Sequence, residues 1–440
     1  MIFRPLPALP AFGKGFRRFA TGQALSAFGD SLVPLTVAFA VLDLTGSAAD
    51  LGLVLLANRL PFALLVLMGG ALADRWPRRR MMLAADVLRC LSQGICGVLL
   101  VTGDASIGLL VALQACAGAG AAMFAPASTG LVPELVAAEQ LIRANAVLSL
   151  ANNVTKVASI GCAGALVAVL SPGWALVVDA ITFAASAAFL AALPETVNRR
   201  HPEPPPGALT LLAGGWRYVS STPWIATLVL YGAMFQLLVI GPHMVLGPVV
   251  AERDLGGAGA WAAIGVAQAV GSVTGGVVAW RARPRRPLWT GIATAMLMVP
   301  YLVVLALAAP VWLVAAAAFA VGVQGSVYWT WTSTAVQTAA PASVLSRVAS
   351  YQQLGPAVLM PVALAATGPV AESVGASAVL VMAAIWVTCS TAAVLSVPAV
   401  RSLRPEPAVP AADVPLPPAA STGAAASRRL RYAGSADHAG

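Results

Sequence analysis

Gly69-Gly70-Ala71-Leu72-Ala73-Asp74-Arg75-Trp76-Pro77-Arg78-Arg79-Arg80 closes one long apolar run and opens another. Arg75, Arg78, Arg79 and Arg80 crowd into so short a span that they cannot lie in hydrocarbon, where each charged side chain carries a penalty of about 3 kcal/mol or more. The stretch therefore reads as a short basic loop joining two membrane helices.

The whole chain has the composition this requires. Of its 440 residues 59% are hydrophobic and 10% charged, with a mean hydropathy of +0.83. That is too apolar for a soluble globule and reads as a polytopic membrane protein. The formal net charge of +9 does not indicate nucleic acid, because nearly all basic residues fall in short loops beside apolar runs, the pattern that orients membrane helices. Cys90, Cys96, Cys116, Cys162 and Cys389 all lie within apolar runs, without metal-ligand spacing, and read as small packing residues. His201 and His438 sit in polar segments and His243 in a helix, which offers no His-based metal centre. No cofactor is expected. The first apolar run is long enough to span and is followed by no cleavage-like site, so it reads as a retained helix.

A spanning helix needs roughly 20 predominantly apolar residues. Twelve such runs can be placed, at about 17–42, 50–70, 81–102, 106–128, 145–170, 174–193, 223–249, 259–280, 288–308, 311–333, 346–369 and 375–397. Lys and Arg assign the sides: 22 of the 26 fall in the N-terminal segment, alternate loops, the central segment and the tail. The opposite loops carry Asp43, Asp50, Asp104, Glu252, Asp254 and Glu372, with Arg253 their only basic residue. Both termini are thus expected in the cytoplasm, in a multi-pass protein of the cell membrane.

The chain also repeats itself. Gly70-Ala-Leu-Ala-Asp74-Arg75 aligns with Gly276-Val-Val-Ala-Trp280-Arg281 at an offset of 206, and Leu141-Ile-Arg143 with Leu345-Ser-Arg347 at 204. Two six-helix halves explain this economically. They are expected at residues 1–196 and 223–400, joined by a cytoplasmic segment over 197–222. That segment contains the Pro-rich His201-Pro-Glu-Pro-Pro-Pro206 and then Leu209 to Tyr218, which could lie as a short interfacial helix. Residues 401–440, rich in Pro, Ala and Ser, read as a disordered tail.

These residues carry a family resemblance. Gly70-x-x-x-Asp74-Arg75-x-Pro77-Arg78-Arg79 resembles the G-x-x-x-D-[RK]-x-G-[RK]-[RK] loop between helices 2 and 3 of the major facilitator superfamily, with Pro77 in place of the usual Gly. Asp43-Leu-Thr-Gly46-Ser47-Ala-Ala-Asp-Leu-Gly52, Asn58-Arg59-Leu-Pro61 and Phe124-Ala-Pro126-Ala…Pro133-Glu134-Leu…Arg143-Ala-Asn145 are similar to the macrolide-efflux and enterobactin-exporter branch. The resemblance covers about residues 15–400. It implies an all-α fold of twelve transmembrane helices in two pseudo-symmetric bundles, and alternating access around a central site, usually for export driven by the proton gradient. It also implies that Gly70, Asp74, Arg75 and Arg79, facing Arg347 and the N-terminal end of helix 11, form a latch that governs the conformational equilibrium. Two departures accompany it. The R-x-x-x-G-x-G of many drug/proton antiporters stands here as Gln114-Ala-Cys-Ala-Gly118-Ala-Gly120, and helix 5 keeps Gly161 and Gly164 without the Pro of the usual bend, so these glycines equally fit close helix packing.

Charged residues inside membrane helices usually face a cavity or a partner. Asp30, Arg59, Lys156 and Asp179 stand out, all in the first half, with formal charges that sum to zero. Asp30 and Arg59 fall at similar depth on consecutive antiparallel helices and are expected to be coupled, Asp30 as the proton-responsive group. Lys156 reads either as a cavity residue or as half of an ion pair. Asp179 reads either as a cavity residue or as an interfacial one within reach of water from the outer end. Asp86 and Arg89, one turn apart near the cytoplasmic end of helix 3, read as an interfacial pair or as neighbours of the basic loop. The second half has no ionised residue deep in a helix but offers Gln324, Tyr328, Trp329 and Trp331 on helix 10, with Gln236, His243, Gln268, Tyr351, Gln352 and Gln353. Gln236, Gln324, Tyr328 and Gln352 join Lys156 and Asp179 as the candidate substrate cavity, and Trp331 reads as an interface anchor.

The function this supports is a monomeric secondary exporter in the lipid bilayer, moving a bulky amphipathic small molecule against protons. An importer or lipid-moving relative of the same fold is the alternative within transport. A membrane enzyme would need a nucleophile, metal or acid/base cluster, and a sensor a sizeable soluble domain. Neither is evident, nor is a phosphate-cradling G-x-x-x-x-G-K-[ST] sequence.

Overall fold

The computed structural model describes residues 12–75, 77–137, 140–193, 221–282, 284–339 and 342–401; the side chains of 66–75 and 342–357, and isolated ones on the fifth and tenth helices, lie outside the description. Twelve long helices run through the described residues. They are α1 (Lys14–Thr45), α2 (Ala48–Arg75), α3 (Arg78–Thr102), α4 (Ile107–Leu135), α5 (Leu141–Val169) and α6 (Pro172–Ala191), followed by α7 (Pro223–Leu255), α8 (Ala258–Arg281), α9 (Pro287–Ala306), α10 (Val311–Ala339), α11 (Ala342–Val374) and α12 (Ala376–Ser396). Ten are long and apolar enough over their described residues to cross a membrane. The protein is a multi-pass, all-helical membrane protein. The segment at 209–218, with its expected interfacial helix, and the tail beyond Arg401 lie outside the described residues.

Most helices extend beyond the apolar runs that marked them, because polar residues continue the backbone ladder past the hydrocarbon. Their ends are chemically marked. Gly46 takes a left-handed φ of +64° to close α1. Ser47 then accepts from the Asp50 amide at 3.1 Å, which caps α2 and makes the hairpin tight. Another departure is α7, which continues to Leu255 and widens into π-helical turns at Gln236–Ile240 and Ala251–Leu255. Pro242 and Pro248 stand inside it, each lacking the amide donor that an α-turn requires, so the ladder shifts by one residue nearby. In α9 the backbone tightens instead, with a 3₁₀ turn over Thr294–Leu297 ahead of Pro300.

Glycines let backbones meet at a few crossings. A Cβ at Gly118 of α4 would stand 2.0 Å from the Asn58 carbonyl of α2. The same approach recurs in the second half, where a Cβ at Gly322 of α10 would stand 1.9 Å from the Gln268 carbonyl of α8. Gly118 and Gly322 differ by 204, the offset of the Arg143 and Arg347 pair. Likewise α2 and α8 end on Arg75 and Arg281, the residues aligned at 206. The internal repeat therefore sets the packing as well as the sequence.

Between the halves, α2 packs on α11 and α5 on α8. Gly52 meets the Leu364 carbonyl, Gly368 meets Ala49, and Gly164 meets the Ala262 methyl, each closer than any Cβ allows. Ser47 donates to Glu372 at 3.1 Å, and Arg253 to the Gly46 carbonyl at 2.9 Å. All these contacts sit at the end that carries the acidic loops, so that end is closed.

On α3 the charged side chains face inward and large apolar ones outward. On α3, Leu91, Ile95 and Val98 are about half exposed on the lipid side, whereas Asp86, Arg89 and Gln93 on the opposite face are buried. This inverts the soluble-protein pattern, because lipid accepts leucine freely and rejects charge.

Candidate functional site

A cavity of about 590 Å³ lies between the halves. From the first half, α1 lines it with Asp30 and Pro34, α2 with Asn58, Arg59 and Phe62, α3 with Arg89 and Gln93, and α5 with Lys156. From the second half, α7 adds His243, Met244 and Pro248, and α8 adds Trp261, Ile264 and Gln268. Asp30, Arg59 and Lys156, picked out by sequence as charges buried in helices, thus meet in one space.

Their partners differ from expectation. Asp30 pairs with Arg89, at 3.0 Å between Nη1 and Oδ2, and not with Arg59. Arg59 still acts on the carboxylate through its charge, from beyond 4.0 Å, but the guanidinium of α3 is the one oriented onto it. Arg89 also pairs with Asp86, one turn back, and reaches Ser26 at 3.5 Å. Its guanidinium lies 4.4 Å from the Phe124 ring centroid and 4.2 Å from that of Phe183, a sandwich that suits a planar cation. Asp86 and Arg89 are therefore no interfacial pair: their side chains are 0% and 3% exposed, while that of Asp30 is 49% exposed to the cavity. Gly120 makes the arrangement possible, since a Cβ there would stand 2.8 Å from Arg89 Cγ.

Asp179 is also corrected. It is 0% exposed, out of reach of water, and does not line the cavity. It lies behind α1, where a Cβ at Gly29 would stand 2.1 Å from its Oδ1. Thr182 sits beside it, yet that hydroxyl donates to the Asp179 main-chain carbonyl at 2.7 Å, and both carboxyl oxygens are buried without a donor. Three carboxyls and one guanidinium thus form a graded cluster, from Asp30 at the cavity surface inward to Asp86 and Asp179.

An amide network adjoins it. Gln114, in the position where many antiporters have Arg, donates to Gln93 Oε1 at 2.9 Å and accepts from Asn58 Nδ2 at 3.2 Å. It braces α2, α3 and α4 behind Arg59.

The second-half candidates assemble elsewhere. Gln236, Gln324 and Tyr328 line a separate pocket of about 230 Å³ with Tyr231, Phe235 and Trp329. Tyr231 stacks on Trp386 at 5.9 Å and bonds Thr391 at 2.9 Å. His243 belongs to the central cavity, with Nδ1 3.4 Å from the Tyr301 hydroxyl. The indole of Trp331 donates to the Ala279 carbonyl at 3.4 Å. The side chains of Gln352, Tyr351 and Gln353 lie outside the description.

Among the latch residues, the side chains of Gly70, Asp74, Arg75 and Arg347 lie outside the described residues. Arg79 donates to the Leu190 and Ala191 carbonyls at 2.9 and 2.6 Å, capping the end of α6 within its own half. Arg78 pairs with Glu134 of α4 at 2.8 Å.

Residues 19–360 match the Major Facilitator Superfamily. The chain is 26% identical to the multidrug efflux pump Tap of Mycobacterium tuberculosis over 91% of its own length and 96% of that protein's. The match to the uncharacterized MFS-type transporter YfiS of Bacillus subtilis is 28% identical and spans 49% of this chain and 51% of that relative. That to the enterobactin exporter EntS of Shigella dysenteriae is 25% identical and covers 61% and 65%. Among solved structures, a bacterial homolog of the human lysosomal transporter Spinster, inward-facing and unoccupied, aligns with a TM-score of 0.64 and 19% identity over 90% of this chain and 98% of that one. The nucleoside transporter NupG aligns with a TM-score of 0.69 and 11% identity over 87% and 98%. At such identities the structures establish the fold alone. Taken with twelve helices and charges gathered around a central cavity, the match over 19–360 makes this chain a membrane transporter of the Major Facilitator Superfamily.

Proposed function

We propose that this transporter exports a bulky amphipathic organic molecule by alternating access, with Asp30 as the group that exchanges a proton with the cavity. The observation that carries the reading is the 590 Å³ space bounded by both halves, into which Asp30 is half exposed. Its volume suits a drug-sized ligand. Because both halves supply its walls, a rocking motion of residues 1–196 against 223–400 would move its opening from one side to the other. Closure at the acidic-loop end agrees with loading from the opposite, cytoplasmic side, where the basic loops put both termini. The relatives named as efflux pump and exporter support outward transport. Asp30 suits coupling because its carboxylate is held by Arg89 on one side and reached from the cavity on the other, so that hydration and substrate charge both act on its proton.

The test is accumulation of toxic amphipathic compounds in an efflux-deficient host. Cells with the transporter accumulate less of at least one compound, and a protonophore abolishes the difference. Asp30→Asn, expressed at the same level, loses gradient-driven efflux while the purified variant still binds that compound. Accumulation equal to control cells for the whole panel would reject export, and full gradient-driven efflux by Asp30→Asn would remove Asp30 from coupling.

A further inference from the structure

The charges of the central cavity are unevenly satisfied. Asp30 is held by Arg89 at 3.0 Å, and Arg89 is further engaged by Asp86. Arg59 and Lys156 line the same space, and among the described residues no carboxylate stands within 4.0 Å of either. Asp86 and Asp179, the other membrane-buried carboxyls of the first half, lie behind the wall and do not line the cavity. The facing wall, from α7 and α8, has no ionised side chain: Met244, Pro248, Trp261 and Ile264 make it apolar, with His243 and Gln268 as polar points. The cavity therefore has one wall with two unpaired cations and one neutral, apolar wall.

We infer that the transported substrate is an amphipathic organic anion, whose carboxylate or equivalent acid group is drawn to Arg59 and Lys156 while its apolar body lies against Trp261 and Ile264. The inference rests on the reading of this cavity as the transport site. Both cations are open to the cavity, so an incoming anion can take charge-assisted hydrogen bonds from each while its apolar body leaves water for the facing wall. An amine meets the opposite: the one acidic group at the surface is already occupied by Arg89, and two like charges oppose it. Asp30 then acts as a competitor for the guanidinium groups, not as the counter-ion of the substrate. This distinguishes the site from one built for cations, in which removing Asp30 would remove the ligand's partner.

The experiment measures binding to the full-length purified transporter in nanodiscs, with three dansyl probes on the same eleven-carbon chain, ending in a carboxylate, a methyl ester or a primary amine. The carboxylate is expected to bind about tenfold or more tighter than the ester, and the amine more weakly than the ester. Arg59→Gln and Lys156→Gln each lower the ratio of carboxylate to ester affinity, Arg59→Lys largely keeps it, and Asp30→Asn raises it. Ester binding by each variant serves as the check that it is folded. Ester binding with no preference for the carboxylate, or a ratio unmoved in both Gln variants, overturns the inference and leaves the cavity as the transport site. A preference for the amine that Asp30→Asn abolishes also overturns it, in favour of a cation. Absence of binding by all three probes, in protein that retains its native thermal transition, rejects the cavity reading and the inference with it.

Discussion

Replacing Arg89 by Met tests whether the buried cluster is held by its guanidinium. Met keeps most of the side-chain volume and removes the charge, so the wall of the cavity is nearly preserved while Asp86 is stranded. Asp86 is 0% exposed, and its Oδ2 already lacks a hydrogen-bond donor. Removing one partner of such a buried pair costs about 3–5 kcal/mol, because the other charge stays behind uncompensated. Loss of the two aromatic faces, Phe124 at 4.4 Å and Phe183 at 4.2 Å, adds to this, by about 0.5–2 kcal/mol. Asp30 contributes little to the loss, since its carboxylate is half exposed to the cavity and can be hydrated there. The double variant Arg89→Met, Asp86→Leu removes the stranded charge as well, and should recover to within about 2 kcal/mol of the parent. SDS-driven unfolding in mixed micelles, followed by circular dichroism, gives the difference directly. The reasoning fails if Arg89→Met unfolds within about 1 kcal/mol of the parent, or if the double variant is no more stable than the single one.

The close crossing of α2 and α4 makes a second test. Gly118→Ala would put a methyl 2.0 Å from the Asn58 carbonyl, which is backbone and cannot swing away, so a loss of about 1–3 kcal/mol is expected. Gly276→Ala on α8 meets nothing within 4 Å and should be neutral or gain up to about 1 kcal/mol; equal melting temperatures for the two variants would refute the packing argument. For the basic loop, Asp74→Asn should slow transport while leaving the affinity for the probe compound unchanged; normal transport at normal expression would dismiss the latch, and a loss confined to affinity would move Asp74 to the binding site.

The amino-acid sequence alone determined the fold class, because a bilayer imposes a one-dimensional code. Runs of about 20 apolar residues must span as helices, so the count of helices follows without any tertiary information, and the basic loops set only the expected sidedness. The repeat at offsets of 206 and 204 announced two related halves, and the structure returns it in the ends of α2 and α8 and in the glycine crossings at Gly118 and Gly322. Sequence also singled out Asp30, Arg59 and Lys156 as charges too costly to bury without a cavity. What it could not determine was pairing. Asp30, Arg59 and Arg89 are all close in depth, and the choice between two guanidinium groups depends on the rotation of α2 and α3 about their axes, which hydropathy does not encode. A stricter helical reading had part of the answer: Asp86, Arg89 and Gln93 share one face of α3, opposite Leu91, Ile95 and Val98, and so mark the interior. The burial of Asp179 had no such signal. It results from Gly29 of α1 lying directly over the carboxyl, an interhelical approach made by residues 150 positions apart, and only the packed bundle decides it.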